Sequence, residues 1–522
     1  MTANQRIFLN IVATYGRSLF TLVCGLFSAR WVLMALGQED YGLYGVIGSM
    51  VIFIGMVNNL LSIAVARFYA VSVGAATVVK NNVRGVAECR QWFSTAVALH
   101  TTVPIALMIV GYPLGEYAIR SGLLVIPSER IVTCLWVFRF SCVSCLVGMM
   151  TIPFNAMYAA KQYIAELTVY SFITTFLNLI VFCYMVNHPG VWLGRYAAWM
   201  AFVSIAPNII IALRAHALFP ECRLVLPEMW SISRIACLIK FAGWQAFGGI
   251  GNVCRSQGIA ILLNRHAEFG SMRNSSMTVA NQVAGQTDML ASAMLGAFQP
   301  AIANAYGAKD YARMRTLAFC TCKIGTLLSL LFVIPLVMEI SEVLGLWLRE
   351  PPRYAAGFCL YIFIAHIIDR ISSGHMLAVT ATGRISGYQA FSGSALLLAL
   401  PLSIVFLKAE FGIYSIGLAL ALSSLFCAIG RLWFAYNIVG MSVRFWFRTI
   451  LMPMAVLMIF SVLLGCLPRY LMPPSLIRIV VTSTVSVAVL VIGAWSILLS
   501  NEEREYVRMK FVVLKGKFGF YD

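Results

Sequence analysis

Charged residues are scarce in this chain, and acidic residues are the scarcest of them. Only 11% of the 522 residues are charged, whereas soluble domains carry about 25%, and 20 acidic residues stand against 38 Lys and Arg. Hydrophobic residues make up 61% of the chain, and the mean hydropathy is +0.85. This composition excludes an ordinary soluble enzyme and indicates an all-α polytopic membrane protein.

Nucleic-acid binding, metal sites and disulfides are not expected either. The net charge of +18 is assigned to cytoplasmic loops and a basic pore, because no soluble segment is large enough for a nucleic-acid-binding domain. The 14 cysteines are scattered, mostly within apolar runs. No CxxC lies in a loop beside histidines, so neither a zinc site nor a disulfide framework is predicted. No small-residue cleavage site follows a short N-terminal apolar core, so no removed signal peptide is expected.

Apolar runs of about 20 residues recur between short polar breaks and predict about fourteen membrane-spanning helices. Their approximate limits are 9–36, 43–69, 92–114, 131–153, 164–186, 192–213, 236–263, 275–299, 317–338, 354–380, 386–407, 413–434, 449–467 and 476–499. About 22 Lys and Arg fall on the side of the N-terminus and about 10 on the other, so the positive-inside rule places both termini in the cytoplasm. No loop exceeds roughly 25 residues, which leaves no room for an extramembrane catalytic domain.

The predicted span from Phe241 to Asn264 carries Arg255 near its middle, among several glycines. A charge at membrane depth costs about 3 kcal/mol or more, so it usually faces a wet cavity or a partner. Helical spacing places on one face Lys240, Trp244, Gly248, Gly251, Arg255 and Gly258. Two interpretations stay open. The face is either a groove for the anionic head of an amphipathic molecule, or a glycine seam for helix packing with Arg255 bonded to a neighbouring carbonyl.

Two other predicted spans carry polar stripes at helical spacing. The stripe of the first span is Asn10, Thr14, Arg17, Thr21, Cys24 and Ser28, and that of the eighth is Thr278, Asn281, Gly285, Asp288, Ser292 and Gln299. A lipid-facing helix would not align polar groups with an arginine, so the first stripe is expected to line water or protein. Three roles stay open for Asp288: pairing with an arginine such as Arg255, titration, or binding of a cation.

The tenth predicted span carries His366, Asp369, Arg370 and His375, and His366 stands at helical contact spacing from both Asp369 and Arg370. This group either carries a proton during transport or forms a polar patch on a cavity wall. In the fourth span, Arg139 either extends a cationic cavity or caps the outer end of the helix.

The spans hold more arginines than acids, and this excess favours an anionic ligand. A guanidinium makes two hydrogen bonds to a phosphate and keeps its charge when partly buried. A cavity for hydrophobic cations would need acids and aromatics instead.

The run ARWVLMALGQEDYGLYGVIG (Ala29 to Gly48) resembles the first-to-second-helix signature of the Wzx-type polysaccharide flippases, in the MATE-like MOP exporter superfamily. Further runs that look like landmarks of a Bacteroidetes-type branch are FAGWQAFGG (Phe241 to Gly249), IPFNAMYAAKQ (Ile152 to Gln162), LWLREPPRY (Leu346 to Tyr354) and ATGRISGYQ (Ala381 to Gln389). The resemblance covers nearly the whole chain in order. It implies two six-helix bundles about a central cavity, two extra C-terminal helices, and transport by alternating access.

The domain limits expected on this basis follow the predicted spans. They are an N-terminal bundle at 1–213, a cytoplasmic linker with an interfacial helix at 214–235, a C-terminal bundle at 236–434, two extra transmembrane helices at 435–500, and a basic cytoplasmic tail at 501–522.

The resemblance implies a flippase that moves undecaprenyl-diphosphate-linked oligosaccharide from the cytoplasmic to the periplasmic leaflet of the bacterial inner membrane. Such a protein serves assembly of O-antigen lipopolysaccharide, capsule or exopolysaccharide, and its expected partners are membrane lipid and a polysaccharide polymerase and ligase. The expected diphosphate ligands are Arg17, Arg255 and Arg139. The expected cavity-lining residues are Asn10, Thr14, Thr21, Trp244, Asn281 and Ser292, and the candidates for ion or proton coupling are Asp288, His366, Asp369 and Arg370.

No cofactor or metal is expected, apart from Na⁺ or H⁺ as a coupling ion. Two alternatives stay open beside the flippase. One is a MATE-type cation-coupled multidrug exporter with the same fold. The other is an integral-membrane glycan polymerase or ligase, which would need a large periplasmic loop that the predicted map lacks.

Overall fold

The computed structural model describes residues 3–78, 83–121, 126–188, 190–265, 270–348, 351–412, 414–501 and 503–505. Every regular element assigned within these ranges is helical, in agreement with the all-α class predicted from the sequence. The periodic apolar runs therefore satisfy their backbone hydrogen bonds inside single helices, as a chain in lipid must.

The first half of the chain forms seven helices. They are α1 (Ala3–Val78), α2 (Val83–Arg120), α3 (Ile131–Met150), α4 (Ile152–Ala160), α5 (Ile164–Asn187), α6 (Leu193–Leu218) and α7 (Ile232–Arg265). Short 3₁₀ turns cover Ser128–Arg130, Pro220–Cys222 and Leu226–Glu228. The predicted linker 214–235 thus contains two 3₁₀ turns that each include a proline. From Ile232 onward, the predicted interfacial helix is the first turn of α7.

The second half forms twelve helices, several of them short. They are α8 (Gly270–Gly307), α9 (Tyr311–Met338), α10 (Ile340–Leu348), α11 (Ala355–Ile371), α12 (Ser373–Thr382), α13 (Ser386–Leu397), α14 (Ala399–Lys408), α15 (Ser415–Val439), α16 (Val443–Trp446), α17 (Met452–Gly465), α18 (Leu467–Leu471) and α19 (Leu476–Gly493). Two π-helical turns, Phe447–Leu451 and Ala494–Leu498, adjoin α17 and α19.

The long helix α1 contains a break at Gly37, whose φ of 78° and ψ of 168° lie outside the helical region. This region is essentially restricted to glycine, because a Cβ would clash with the backbone. The break falls between the first two predicted spans, so one glycine takes the place of the expected interhelical loop.

Two compact units divide the chain. Unit 1 consists of Met1–Phe247, Gly296–Met314 and Thr380–Gln389, and unit 2 of Gly248–Leu295, Arg315–Val379 and Ala390–Asp522. In unit 1, α1 and α8 pack so closely that a Cβ at Gly74 or Gly307 would overlap the backbone of the other helix. Arg67 is buried in the same unit and donates its Nε–H to the carbonyls of Thr380 and Ala381, both at 3.1 Å.

In unit 2, a buried ion pair joins α19 to the end of α9. Arg478 lies 2.8 Å from Glu339, and the Thr482 hydroxyl donates to the same carboxylate at 3.0 Å. Both charged side chains are almost fully buried, at 6% and 1% exposure. Apolar residues from α9, α17 and α19, among them Leu330, Leu457 and Leu490, form a buried cluster in the same unit.

Ten helices in the described part of the chain are long and apolar enough to cross a membrane, and the bent pair α11–α12, with 47° between its axes, brings the number to 11. The chain is therefore a multi-pass membrane protein. The predicted spans 9–36, 236–263 and 275–299 lie in α1, α7 and α8 and are not among these helices. The spans 236–263 and 275–299 carry polar faces, and these polar residues lower their mean hydropathy.

Candidate functional site

A pocket of about 340 Å³ lies within unit 2, between α7, α8, α11 and α15. Its ionisable lining residues are Arg255, Asp288, His366, Asp369, Arg370 and Arg431. These residues come from four helices that are far apart in sequence, so folding assembles the site. Three arginines and two aspartates leave one positive charge in excess on the lining.

Arg255 supplies that excess charge. Its side chain is half-buried, and Nη2 donates to Oδ1 of Asn252 on the preceding turn at 2.8 Å. Within the described chain it forms no ion pair. Arg255 lines the pocket, and its guanidinium has five N–H donors, one of which bonds to Asn252. The site thus presents a cation that no carboxylate neutralises at contact distance.

Asp288 pairs with Arg370 of α11, and not with Arg255 as one of its three predicted roles proposed. Arg370 also donates to the Ser292 hydroxyl at 3.2 Å, and the Nδ1 atom of His366 lies 3.9 Å from the Asp288 carboxylate. The Arg370 side chain is only 7% exposed, and its Nε and Nη1 atoms have no hydrogen-bond partner in the part of the chain that the structure describes. Asp288 therefore offsets a guanidinium that is otherwise poorly compensated.

The second aspartate has its own arginine. Nη2 of Arg431 lies 2.6 Å from the Asp369 carboxylate, and Nη1 donates to the Asp369 carbonyl at 3.0 Å and to the Ser372 hydroxyl at 3.2 Å. Sequence analysis missed Arg431 because the positive-inside count assigns it to the cytoplasmic side, although the predicted span 413–434 contains it. The helical spacing of Ser424, Cys427 and Arg431, all of which line the pocket, was a signal that could have found it.

Some residues of the predicted α7 face pack against other helices and one lines a pocket, so each of the two interpretations made from the sequence applies to part of the face. A Cβ at Gly251 would lie 2.6 Å from the carbonyl oxygen of Gly393, and one at Gly258 would lie 2.7 Å from Leu400. These two glycines are a packing seam against α13 and α14. Arg255 stands between them in sequence but lines the pocket, so the seam and the cationic site share one helix.

The polar stripe of the first span lies in unit 1, along the contact of α1 with α5. Asn10 is buried, its amide donates to the Gln162 carbonyl at 3.1 Å, and its oxygen accepts from the Ala165 amide at 3.1 Å. Thr14 is also buried. The structure therefore places both residues inside protein, not on a cavity wall. Further along the stripe, the Arg17 guanidinium lies 3.5 Å from the Ser171 hydroxyl.

The remaining predicted site residues fall in four places. Thr21 lines a pocket of unit 1, and Asn281 lines the basic pocket of unit 2. Trp244 belongs to unit 1 and meets the ring of Phe247 edge-on. Arg139 lines an apolar groove between α2 and α3, lies 3.6 Å from the Glu116 carboxylate, and accordingly carries a partly neutralised charge.

Comparisons with solved structures identify the fold. An outward-facing multidrug resistance MATE-family transporter of the MOP superfamily aligns with a TM-score of 0.65 and 13% identity, covering 84% of this chain and 96% of its own. A MOP-superfamily transporter from Pyrococcus furiosus, described as having a binding pocket of reversed polarity that suggests a different function, gives the same values. The bent form of a Vibrio cholerae MATE transporter aligns with a TM-score of 0.59 and 17% identity, covering 84% and 97%.

These alignments show that the chain has the fold of the MATE-type transporters of the MOP superfamily. A scan against protein-family models and a search of curated protein sequences returned no match.

Proposed function

We propose that this protein is a transporter that flips a lipid-linked oligosaccharide across the bacterial inner membrane and recognises its diphosphate with arginine. The observation that carries the proposal is Arg255, a cation that pairs with no acid of the described residues, in a pocket that also holds Arg370 and Arg431. A phosphate leaves water at a large cost unless fixed positive charges receive it. Guanidinium groups suit this role because they bind phosphate oxygens through two parallel hydrogen bonds.

The pocket is a poor site for a hydrophobic cation. Asp288 and Asp369 are both in ion pairs with buried arginines, so an incoming cation would have to break those pairs before it met a free carboxylate. An anion meets Arg255 without such a rearrangement. The charge balance of the lining therefore favours an anionic cargo over a cationic drug.

The proposed topology keeps about fourteen spans, because the polar helices α7 and α8 carry pocket residues of the kind that a transport path needs. It also keeps two six-helix bundles, two additional C-terminal helices and cytoplasmic termini, on the positive-inside count. The polyprenyl tail stays in the lipid, and a polysaccharide polymerase and ligase act on the product in the same membrane.

Complementation of a flippase-null bacterial strain tests the proposal. Arg255→Ala and, separately, Arg17→Ala should lower surface glycan display by at least tenfold, the cost expected when a contact worth about 1.5–3 kcal/mol with a charged group is lost. Arg353→Ala is the matched control, because Arg353 is an exposed arginine of unit 2 outside the pocket. Full display by Arg255→Ala at equal membrane abundance rejects the assignment of the pocket.

A cation-coupled multidrug exporter is the second candidate. Two aspartates and a histidine within one pocket favour it, as do the multidrug MATE transporters among the structural neighbours. Rescue of dye efflux in an efflux-deficient strain, without glycan display, would favour this function. Reconstitution in proteoliposomes with imposed Na⁺ or H⁺ gradients distinguishes coupled from uncoupled transport in either case.

A further inference from the structure

Unit 1 contains a second polar pocket, of about 250 Å³, between α1, α5 and α6. This volume is below the range of roughly 300–1,000 Å³ that holds drug-sized ligands, so the pocket suits a small ring or part of a larger molecule. Its polar and aromatic lining residues are Thr21, Ser28, Tyr41, Thr175, Asn178 and Tyr196. None of the described lining residues is charged, in contrast with the basic pocket of unit 2.

Hydrogen-bonding groups of this pocket are available to a ligand. The side-chain hydroxyls of Thr21, Ser28 and Tyr41 form no hydrogen bond with the described residues. The Trp199 indole N–H donates to Oδ1 of Asn178 at 2.9 Å. An indole nitrogen can only donate, which fixes the orientation of the Asn178 amide and leaves its NH₂ group as a donor.

The site combines these groups with aromatic surface. Tyr41 and Tyr196 line the pocket together with Phe182, and Tyr196 is held edge-on against Tyr44 with ring centroids 4.8 Å apart. A ring that bears hydroxyl groups fits such a lining, because its C–H faces pack on aromatic rings while its hydroxyls both donate and accept. An ion does not fit it, because no opposite charge would repay its dehydration.

Arg17 lies one helical turn before Thr21, and its contact Ser171 lies one turn before Thr175. Four residues of helix rise about 6 Å. The Arg17 guanidinium is thus separated from the uncharged pocket by about the length of one phosphate group. Both the guanidinium and the pocket lie along α1 and α5. The order along α1 is a cation first and then hydroxyl and aromatic groups.

We infer that this pocket of unit 1 binds the sugar that is linked directly to the diphosphate, and that this sugar is uncharged. The inference rests on the proposed function and adds to it a subsite and a substrate class. Arg17 holds the phosphate next to the sugar, and the hydroxyls with the Asn178 amide hydrogen-bond the ring. A uronic acid at the first position is rejected, since its carboxylate would meet no cation among the described lining residues.

Binding to the purified full-length protein tests the inference with farnesyl diphosphate as the sugar-free probe. Farnesyl-diphospho-glucose, -galactose and -N-acetylglucosamine are the uncharged probes, and farnesyl-diphospho-glucuronate is the charged one. At least one uncharged probe should bind roughly three- to tenfold tighter than farnesyl diphosphate for each hydrogen bond gained. The glucuronate probe should bind no tighter than farnesyl diphosphate.

Thr175→Val and Thr174→Val form a matched pair on α5, because both hydroxyls donate to the Ser171 carbonyl but only Thr175 lines the pocket. Thr175→Val and Thr21→Val should remove the sugar increment and leave the affinity for farnesyl diphosphate unchanged, whereas Thr174→Val should keep both. Equal affinity of all probes for the wild-type protein overturns the inference, and so does an equal loss of the increment in Thr174→Val.

The same experiment separates the inference from the function on which it rests. If Arg255→Ala weakens every probe but no sugar adds affinity, the flippase proposal stands and the sugar subsite is wrong. If a sugar adds affinity that depends on Thr21 while Arg255→Ala has no effect, the subsite stands and the assignment of the unit 2 pocket is wrong.

Discussion

Arg431 holds Asp369 at two points, contacting its carboxylate at 2.6 Å and its backbone carbonyl at 3.0 Å. Asp369 lies in the last turn of α11, and its carbonyl also accepts from the Ser372 hydroxyl at 3.1 Å. The indole N–H of Trp446 donates at 3.0 Å to the carbonyl of Ile371, the last residue of α11. One arginine of α15 thus neutralises an acid of the pocket and caps the helix that ends at the α11–α12 bend.

Replacing Arg431 by methionine should destabilise unit 2 by about 1.5 kcal/mol, because it removes the hydrogen-bonded partner of the Asp369 charge, whose side chain is 37% exposed. Thermal unfolding of the detergent-solubilised protein measures the change. Arg444→Met is the control, since Arg444 is exposed on α16 of the same unit. Adding Asp369→Asn to Arg431→Met should recover part of the loss. Identical melting of Arg431→Met and wild type would contradict the structural role of the pair.

Asp288→Asn should raise the affinity of the protein for inorganic pyrophosphate, by roughly tenfold at low ionic strength. The substitution removes one of the two negative charges of the pocket and frees Arg370 to meet the anion. The gain should shrink as salt screens the exposed part of the pocket. Isothermal titration calorimetry measures it, with Glu410→Gln of an exposed turn as the control. A drug exporter predicts the opposite outcome, in which Asp288→Asn abolishes dye binding and leaves pyrophosphate affinity unchanged.

Glu339→Gln should lower the stability of unit 2 by about 3–5 kcal/mol, because Arg478 would stay buried without a full counter-charge. Glu342→Gln should cost less than about 1 kcal/mol, since Glu342 is 39% exposed and lies farther from Arg478, at 3.4 Å. The two glutamates stand three residues apart and differ mainly in burial. Equal melting temperatures for the two variants would show that burial does not decide the strength of this contact.

Gly251→Ala should disrupt the packing of α7 against α13, because the new methyl group would lie 2.6 Å from a backbone oxygen that cannot move alone. Gly249→Ala is the matched control on the same helix, where a Cβ meets nothing within 4 Å. The control should be neutral or stabilising by up to about 1 kcal/mol, from helix propensity. Thermal unfolding compares them, and a more stable Gly251→Ala protein would contradict the close approach of the two helices.

The polar stripes show how far sequence reasoning reached toward the site. Helical periodicity placed Arg17, Thr21 and Ser28 on one face of α1, and Thr21 and Ser28 do line one pocket. The same periodicity placed Asn10 on that face, yet α5 covers it there. A stripe records which residues avoid lipid, and protein or water satisfies this requirement equally well. Whether protein or water is present depends on which helices pack against the stripe. The residue spacing within α1 does not reveal those helices.

Composition and periodicity by themselves determined the helical class, the membrane setting and the positions of most spans, because the bilayer imposes one length and one kind of backbone on every crossing segment. The partners of the charged residues came only from the tertiary structure. Asp288 meets Arg370, and Arg431 meets Asp369, across helices separated by dozens of residues. Charge pairing acts over a few ångströms in space. Only the packing of the helices could therefore leave Arg255 without an acid among the described arginines of this pocket.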